Sequence, residues 1–304
     1  MELWIAATLA AAVFQTVRFA LQKNLKSAGL SAVGATWARF LWAAPILSLA
    51  VFLYTQMTGT AFPTTSLVFW AYAIMGGGAQ ILATVCVVAL FSLRNFAIGI
   101  TFKKSEVLQT VLVGWVILGE GVSWAGFVAL LLGLVALLVL SSPGGPEAEG
   151  RTAGPLGVLS PSMLLGLTSG FFFALAGVGY RGATLALGDG PVGLRAAAAL
   201  VLVTLLQAAA MFAWLMVRDR VQIARVLSAW RTGLAVGVTG LSGSFCWFVA
   251  FALQNAAYVY ALGQVELLFS VAGGAVLFGE RLTRREMAGI GLLAASLVVL
   301  VLAI

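Results

Sequence analysis

The sequence predicts an all-α integral membrane protein of ten transmembrane helices, built as two inverted repeats of five. Three observations carry that expectation. First, 62% of the 304 residues are apolar and only 9% are charged, with a mean hydropathy of +1.08. A soluble domain carries roughly a quarter charged residues, so this chain cannot coat a water-facing globule. Lipid removes the difficulty, because hydrocarbon accepts apolar side chains on the outside. Second, Trp124 to Leu140 contains no charged or strongly polar residue, and Met287 to Ile304 contains only Ser296. At about 1.5 Å of rise per residue, each run nearly crosses a ~30 Å hydrocarbon core. Third, the chain repeats itself. Shifted by 160 positions, Thr84–Ser123 aligns without a gap on Ser244–Thr283. Matches between apolar helices by chance are mostly Leu, Val and Ala. Here they include Cys86/Cys246, Asn95/Asn255, Glu106/Glu266 and Glu120/Glu280.

Breaks in hydropathy place the helices of the first repeat, residues 1–141, at 3–22, 32–54, 67–92, 96–118 and 124–141. The first of them does not read as a cleavable signal, since Arg18, Lys23 and Lys26 follow the apolar stretch instead of preceding it. A polar, Pro/Gly-rich linker covers 142–161. The second repeat, 162–304, has helices at 162–186, 191–217, 231–253, 257–278 and 284–303. Five is an odd number, so the second repeat starts on the opposite face of the membrane from the first. Inverted repeats with a solute site near the midplane are the architecture of secondary transporters.

Several function classes are excluded by what is missing. The chain has no histidine, which removes the commonest metal ligand and acid–base catalyst. Cys86 and Cys246 lie inside apolar segments and read as small buried residues, not as a disulfide or metal site. There is no Walker lysine loop, Asp-rich motif or catalytic Ser/His pair. The expectation is a non-enzyme without cofactor or metal. The net charge of +7 lies mostly beside helix ends, where anionic lipid headgroups, not nucleic acid, are the partner expected.

The candidate site residues are those that a membrane interior tolerates poorly. Glu106 and Glu266 fall about ten residues into the fourth and ninth predicted helices, where a charge must be paired or face water. Lys103 is three residues before Glu106 and can pair with it. Position 263 is Gly, so Glu266 must find a partner on another helix, with Arg18, Arg39 or Arg195 as choices. Both carboxylates are compatible with structural pairing, with recognition of a substrate amine and with proton coupling. Gln15 and Arg18 share a face of the first helix; Arg18 either receives a substrate carboxylate or snorkels to the interface. Tyr72, Phe102, Phe173, Tyr180, Trp247, Tyr258 and Tyr260, with Ser244 and Gln264, offer apolar walls with polar tips. Interfacial aromatic belts account for such residues equally well. Gly99 and Gly263, early in the matched fourth and ninth helices, are hinge candidates.

Two short motifs then point to a family. Gly119-Glu120-Gly121-Val122-Ser123 and Gly279-Glu280-Arg281-Leu282-Thr283 each precede the last helix of a repeat, with Ser123 and Thr283 as N-caps. Arg39-Phe40 and Arg195 lie near the start of the second helix of each repeat. With ten helices in about 300 residues, the chain resembles the drug/metabolite transporter superfamily of EamA type, and within it the YddG-like bacterial amino-acid exporters. The resemblance implies a ten-helix basket whose cavity is lined by helices 1, 3, 4, 6, 8 and 9. It implies alternating-access export of amino acids or related small metabolites across the bacterial inner membrane, by a multi-pass monomer. Carriage of other metabolites, drugs or phosphorylated sugars is the alternative, and a lipid flippase a more distant one. Partners are then the solute, membrane lipids and, if transport is coupled, a proton. Orientation divides two indications. The odd-numbered connections hold all the loop bases, from Lys23 and Lys26 to Arg284 and Arg285, which puts both termini outside. The resemblance implies both termini inside.

Overall fold

The computed structural model describes residues 2–27, 29–90, 92–93, 102–141, 161–268 and 284–302. Among them the chain is helical with no strand. The helices of the first half are α1 (Leu3–Ser27), α2 (Ala32–Thr58), α3 (Leu67–Leu90), α4 (Glu106–Leu118) and α5 (Trp124–Ser141). Those of the second are α6 (Pro161–Leu185), α7 (Val192–Arg218), α8 (Arg220–Ser228), α9 (Trp230–Leu253), α10 (Ala256–Gly263) and α11 (Arg284–Leu302). Six of them (α1, α2, α3, α6, α7 and α9) are long and apolar enough to cross a membrane, and α4, α5 and α11 are shorter apolar helices.

Local chemistry sets the ends. Ser31 caps α2 by accepting the Gly34 N–H at 3.0 Å. Ser123 does the same at the start of α5, accepting the Gly126 N–H at 3.0 Å. Gly119 closes α4 with φ 69°, a left-handed conformation that a β-carbon disfavours. Thr283, Gly279 and Glu280 lie outside the described residues.

Where the described residues reach them, the expected boundaries hold within about five residues, with two differences; the expected start of the fourth helix at 96 and end of the ninth at 278 lie outside the described residues. One is α8, a short helix in the connection after α7 whose polar composition hides it from a hydropathy scan. Its Gln222 accepts the Ser31 N–H at 2.8 Å, and Arg225 donates to Gly29 O at 3.1 Å, which ties it to the α1–α2 turn. The other is that the fourth and ninth helices are not continuous. Turns at Lys104-Ser105 and at Gln264-Val265 interrupt them, 160 positions apart. The two cysteines are free thiols and only half-buried, less enclosed than their apolar neighbours suggested.

The halves pack into one another through small residues. At Gly179 of α6, a β-carbon would fall 2.7 Å from Gly76 Cα of α3. At Gly237 of α9 it would fall 2.6 Å from Trp42 Cβ of α2, and at Gly243 3.1 Å from Phe14 Cβ of α1. Without a hydrophobic drive between helices in lipid, such close backbone contact supplies the packing. Large apolar side chains such as Trp124, 80% exposed, face outward. The first-half helices α1, α2 and α3 and the second-half helices α6 and α9 therefore meet around a common interior.

Candidate functional site

That interior holds a cavity bounded by α1, α2, α3, the turn before α4, α4, α6, α9 and α10. About 500 Å³ of space lies between its lining atoms, counted out to its open side, and the centre of a whole water reaches only about 30 Å³ of it. The cavity is narrow: it has room for waters, and a solute must spread its walls.

Two arginines enter from one side. Arg18 donates through Nη1 to Gln22 Oε1 at 2.6 Å, and its guanidinium carbon lies 4.1 Å from the Phe19 ring centre. Arg39 donates through Nη2 to Ser244 Oγ at 2.7 Å, while its Nη1 is buried without a partner among the described residues. Both stems lie on bare backbone of α9. A β-carbon at Gly240 would meet Arg39 Cγ at 3.0 Å and Arg18 Cδ at 3.2 Å. Glycine there is what lets two long cations share one spot.

The same cavity carries a carboxylate. Lys103 Nζ binds Glu106 Oε1 at 3.0 Å and sits 4.6 Å above the Phe173 ring. Glu106 Oε2 is buried with no hydrogen-bond partner among the described residues. Tyr260 donates its hydroxyl to Phe173 O at 2.8 Å, and Trp247, Phe251 and Tyr260 pack ring on ring at 5.2–5.6 Å between centres. Tyr180 accepts from Gln207 Nε2 at 3.2 Å and lies tilted against Phe248, ring centres 4.3 Å apart.

Of the residues singled out from sequence, Gln15, Arg18, Lys103, Glu106, Phe173, Tyr180, Ser244, Trp247 and Tyr260 line this cavity. The expected Lys103–Glu106 pair is present. Glu266 does look to another helix, but its partner is none of Arg18, Arg39 and Arg195. It is ion-paired with Lys104 and accepts from Gln15 Nε2 at 2.9 Å. Consecutive lysines in one turn thus serve the two matched glutamates, one in each half. No spacing rule reveals that: Lys103 lines the main cavity, and Lys104 lines a separate pocket. Gln264 lines a smaller side pocket with Lys104. Tyr72 packs on Gly182, where a β-carbon would be 2.6 Å from its ring. Phe102 is half-buried in the turn before α4, its carbonyl accepting from Ser105 Oγ at 2.7 Å. Tyr258 accepts the Ser123 N–H at 2.8 Å, beside the α4–α5 connection. Gly263 ends α10 against Trp247, whose Cη2 a β-carbon would approach to 2.6 Å. Gly99 lies outside the described residues. Sequence reasoning missed Gln80, Phe248 and Phe251 as lining residues, and treated Arg39 only as a partner for Glu266.

The Gly-Glu turn also finds a partner that its motif did not announce. Arg181 Nε meets both oxygens of Glu120, at 2.7 and 2.6 Å, and its Nη1 donates to Phe251 O and Gln254 O at the end of α9. Asn255 Nδ2 donates to Gly121 O at 3.2 Å. The α4–α5 turn of the first half is therefore fastened to α6 and α9 of the second.

Comparison with known proteins agrees with this architecture. Residues 160–302, a little under half of the chain, match the EamA-like transporter family. That match points to a multi-pass membrane transporter of small molecules and away from an enzyme. The whole chain resembles a protein of known crystal structure at a TM-score of 0.68, over 99% of this chain and 98% of that one. At 16% identity the likeness is one of fold. No curated protein matches the sequence.

Proposed function

We propose that the chain is a ten-helix secondary carrier of the drug/metabolite transporter superfamily that exports amino acids or related small metabolites by alternating access. The observation that carries this reading is a pair of unmet polar atoms in one cavity, Arg39 Nη1 and Glu106 Oε2. Buried polar groups are almost always hydrogen-bonded, so two orphans of opposite charge across one space are suited to a solute with both an acid and an amine. The carboxylate goes to Arg39 and Arg18, where guanidinium forks match its geometry. The amine goes to Glu106. Matched turns in the fourth and ninth helices, one in each half, support inverted repeats working against each other, because discontinuous helices are where such carriers hold solute. The absence of histidine from the sequence leaves Glu106 and Glu266 as the carboxylates available for proton coupling.

Counterflow of radiolabelled amino acids into proteoliposomes tests the reading. Exchange without chemical conversion is expected, and failure for every amino acid and related acid refutes it. Imposing a pH gradient on the same vesicles separates proton antiport from facilitated diffusion. Carriage of phosphorylated sugars is the second reading, favoured by the number of bases at the cavity, and the same vesicles test it.

A further inference from the structure

Among the described residues the cavity is electrically unbalanced. Arg18, Arg39 and Lys103 reach it, against one described carboxylate, that of Glu106. Glu266 does not correct the excess, because Lys104 is paired with it. Arg18 and Arg39 rest on an amide and a hydroxyl, acceptors that solvate a guanidinium without neutralising it. Of the other carboxylates whose side chains are described, Glu120 holds Arg181, and Glu2, Asp189 and Asp219 lie at or beyond helix ends. Uncompensated charge inside a membrane protein is costly and marks the path of a charged solute.

Resting on the carrier reading above, we propose that the preferred solute is a small dicarboxylate with a hydrogen-bond donor beside one of its carboxylates: an acidic amino acid or a 2-hydroxy dicarboxylate. One carboxylate occupies the fork of Arg18 and Arg39, with Arg39 Nη1 as its unused donor. The second is drawn to Lys103. The ammonium or hydroxyl donates to Glu106 Oε2, which has no partner among the described residues. The aromatic walls do not call for an aromatic solute. Trp247, Phe251 and Tyr260 already pack on one another, and the narrow free space favours a short carbon chain. Their contribution is a water-poor surround in which each charge is felt more strongly.

The test uses the reconstituted full chain and pairs of solutes that differ in one charge. Unlabelled aspartate is set against asparagine, and glutamate against glutamine, as competitors for counterflow. The expected result is competition by the acids at about ten- to a hundredfold lower concentration, the worth of one charge-assisted hydrogen bond. Equal competition by the neutral partners, or preference for leucine or phenylalanine, overturns the proposal and leaves the carrier reading standing. Counterflow of no solute at all sinks both. In variants, Arg39→Gln is expected to erase the preference for the acid. Arg39→Lys, which keeps the charge but not the fork, is expected to retain the preference at weaker affinity. Succinate, which lacks the donor, should compete less well than malate in the natural protein, and the gap should narrow in Glu106→Gln, whose neutral amide oxygen is the weaker acceptor. Equality of succinate and malate in the natural protein removes Glu106 from the proposal.

Discussion

Gly179→Ala should loosen the seam between the two halves, and the size of the effect follows from three distances. A β-carbon on Gly179 falls 2.7 Å from Gly76 Cα, 2.8 Å from Gly76 N and 3.0 Å from Tyr72 O. Carbon atoms in contact rest about 3.5–4.0 Å apart, so α3 and α6 must part by roughly 1 Å. All three obstacles are backbone, and no rotamer change moves them aside. Overpacking of this kind costs about 1–3 kcal/mol. Alanine recovers some of that, since it is favoured over glycine within a helix by roughly 0.5–1 kcal/mol. Gly78 is the control, because a β-carbon there meets nothing within 4 Å. Gly78→Ala should therefore stabilise slightly while Gly179→Ala destabilises. Each kcal/mol corresponds to about 2–4 °C in a chain of this size class. Thermal unfolding of the detergent-solubilised protein, followed by tryptophan fluorescence, reads the difference. A midpoint for Gly179→Ala equal to or above that of Gly78→Ala would refute the close contact between the halves.

Other consequences can be checked in parallel. Lys104→Ala leaves Glu266 without its lysine and should cost about 3–5 kcal/mol, while the double variant Lys104→Met/Glu266→Leu recovers much of the loss; additive midpoints in the double-mutant cycle would dismiss the pair. Glu266→Gln is expected to abolish transport while leaving expression intact, and unchanged export would show that its carboxylate has no part in the cycle. Arg181→Lys keeps the charge at the α4–α5 turn but loses the two-point grip on Glu120, so a loss of about 1.5–3 kcal/mol is expected in the same unfolding assay. Orientation is read by labelling Ser142→Cys and Ser228→Cys from outside intact cells. Protection of both supports termini outside, as the loop bases imply, whereas strong labelling of both means termini inside.

Much of the fold was legible because lipid makes composition decisive. The start of the fifth helix at Trp124 was read correctly, since an apolar run in a bilayer is stable as a helix with its backbone satisfied. The break at Gln264-Val265 was not legible, because no Pro or polar run marks it: Ala256–Gly263 is apolar, and Gln264 and Glu266 stand singly among apolar residues. Nor was α8, whose polar face does not register on a hydropathy scale. The candidate site divides in the same way. Lys103 and Glu106 are neighbours in sequence, and a spacing of three was enough to pair them. Arg39 and Ser244, 205 positions apart, could be joined only by packing.

What the sequence determined by itself was local or compositional: a membrane chain, the approximate course of most of its apolar helices, a repeat at 160 positions, and which ionisable side chains have to be accounted for inside. The tertiary structure decided which charge answers which. It assigned Lys104, not an arginine, to Glu266, and left Arg18 and Arg39 on neutral acceptors above Gly240. The reason is physical. Charge pairing acts over a few ångströms between elements that the chain separates widely, and only the docking of small residues on α9 and α6 brings those elements within reach.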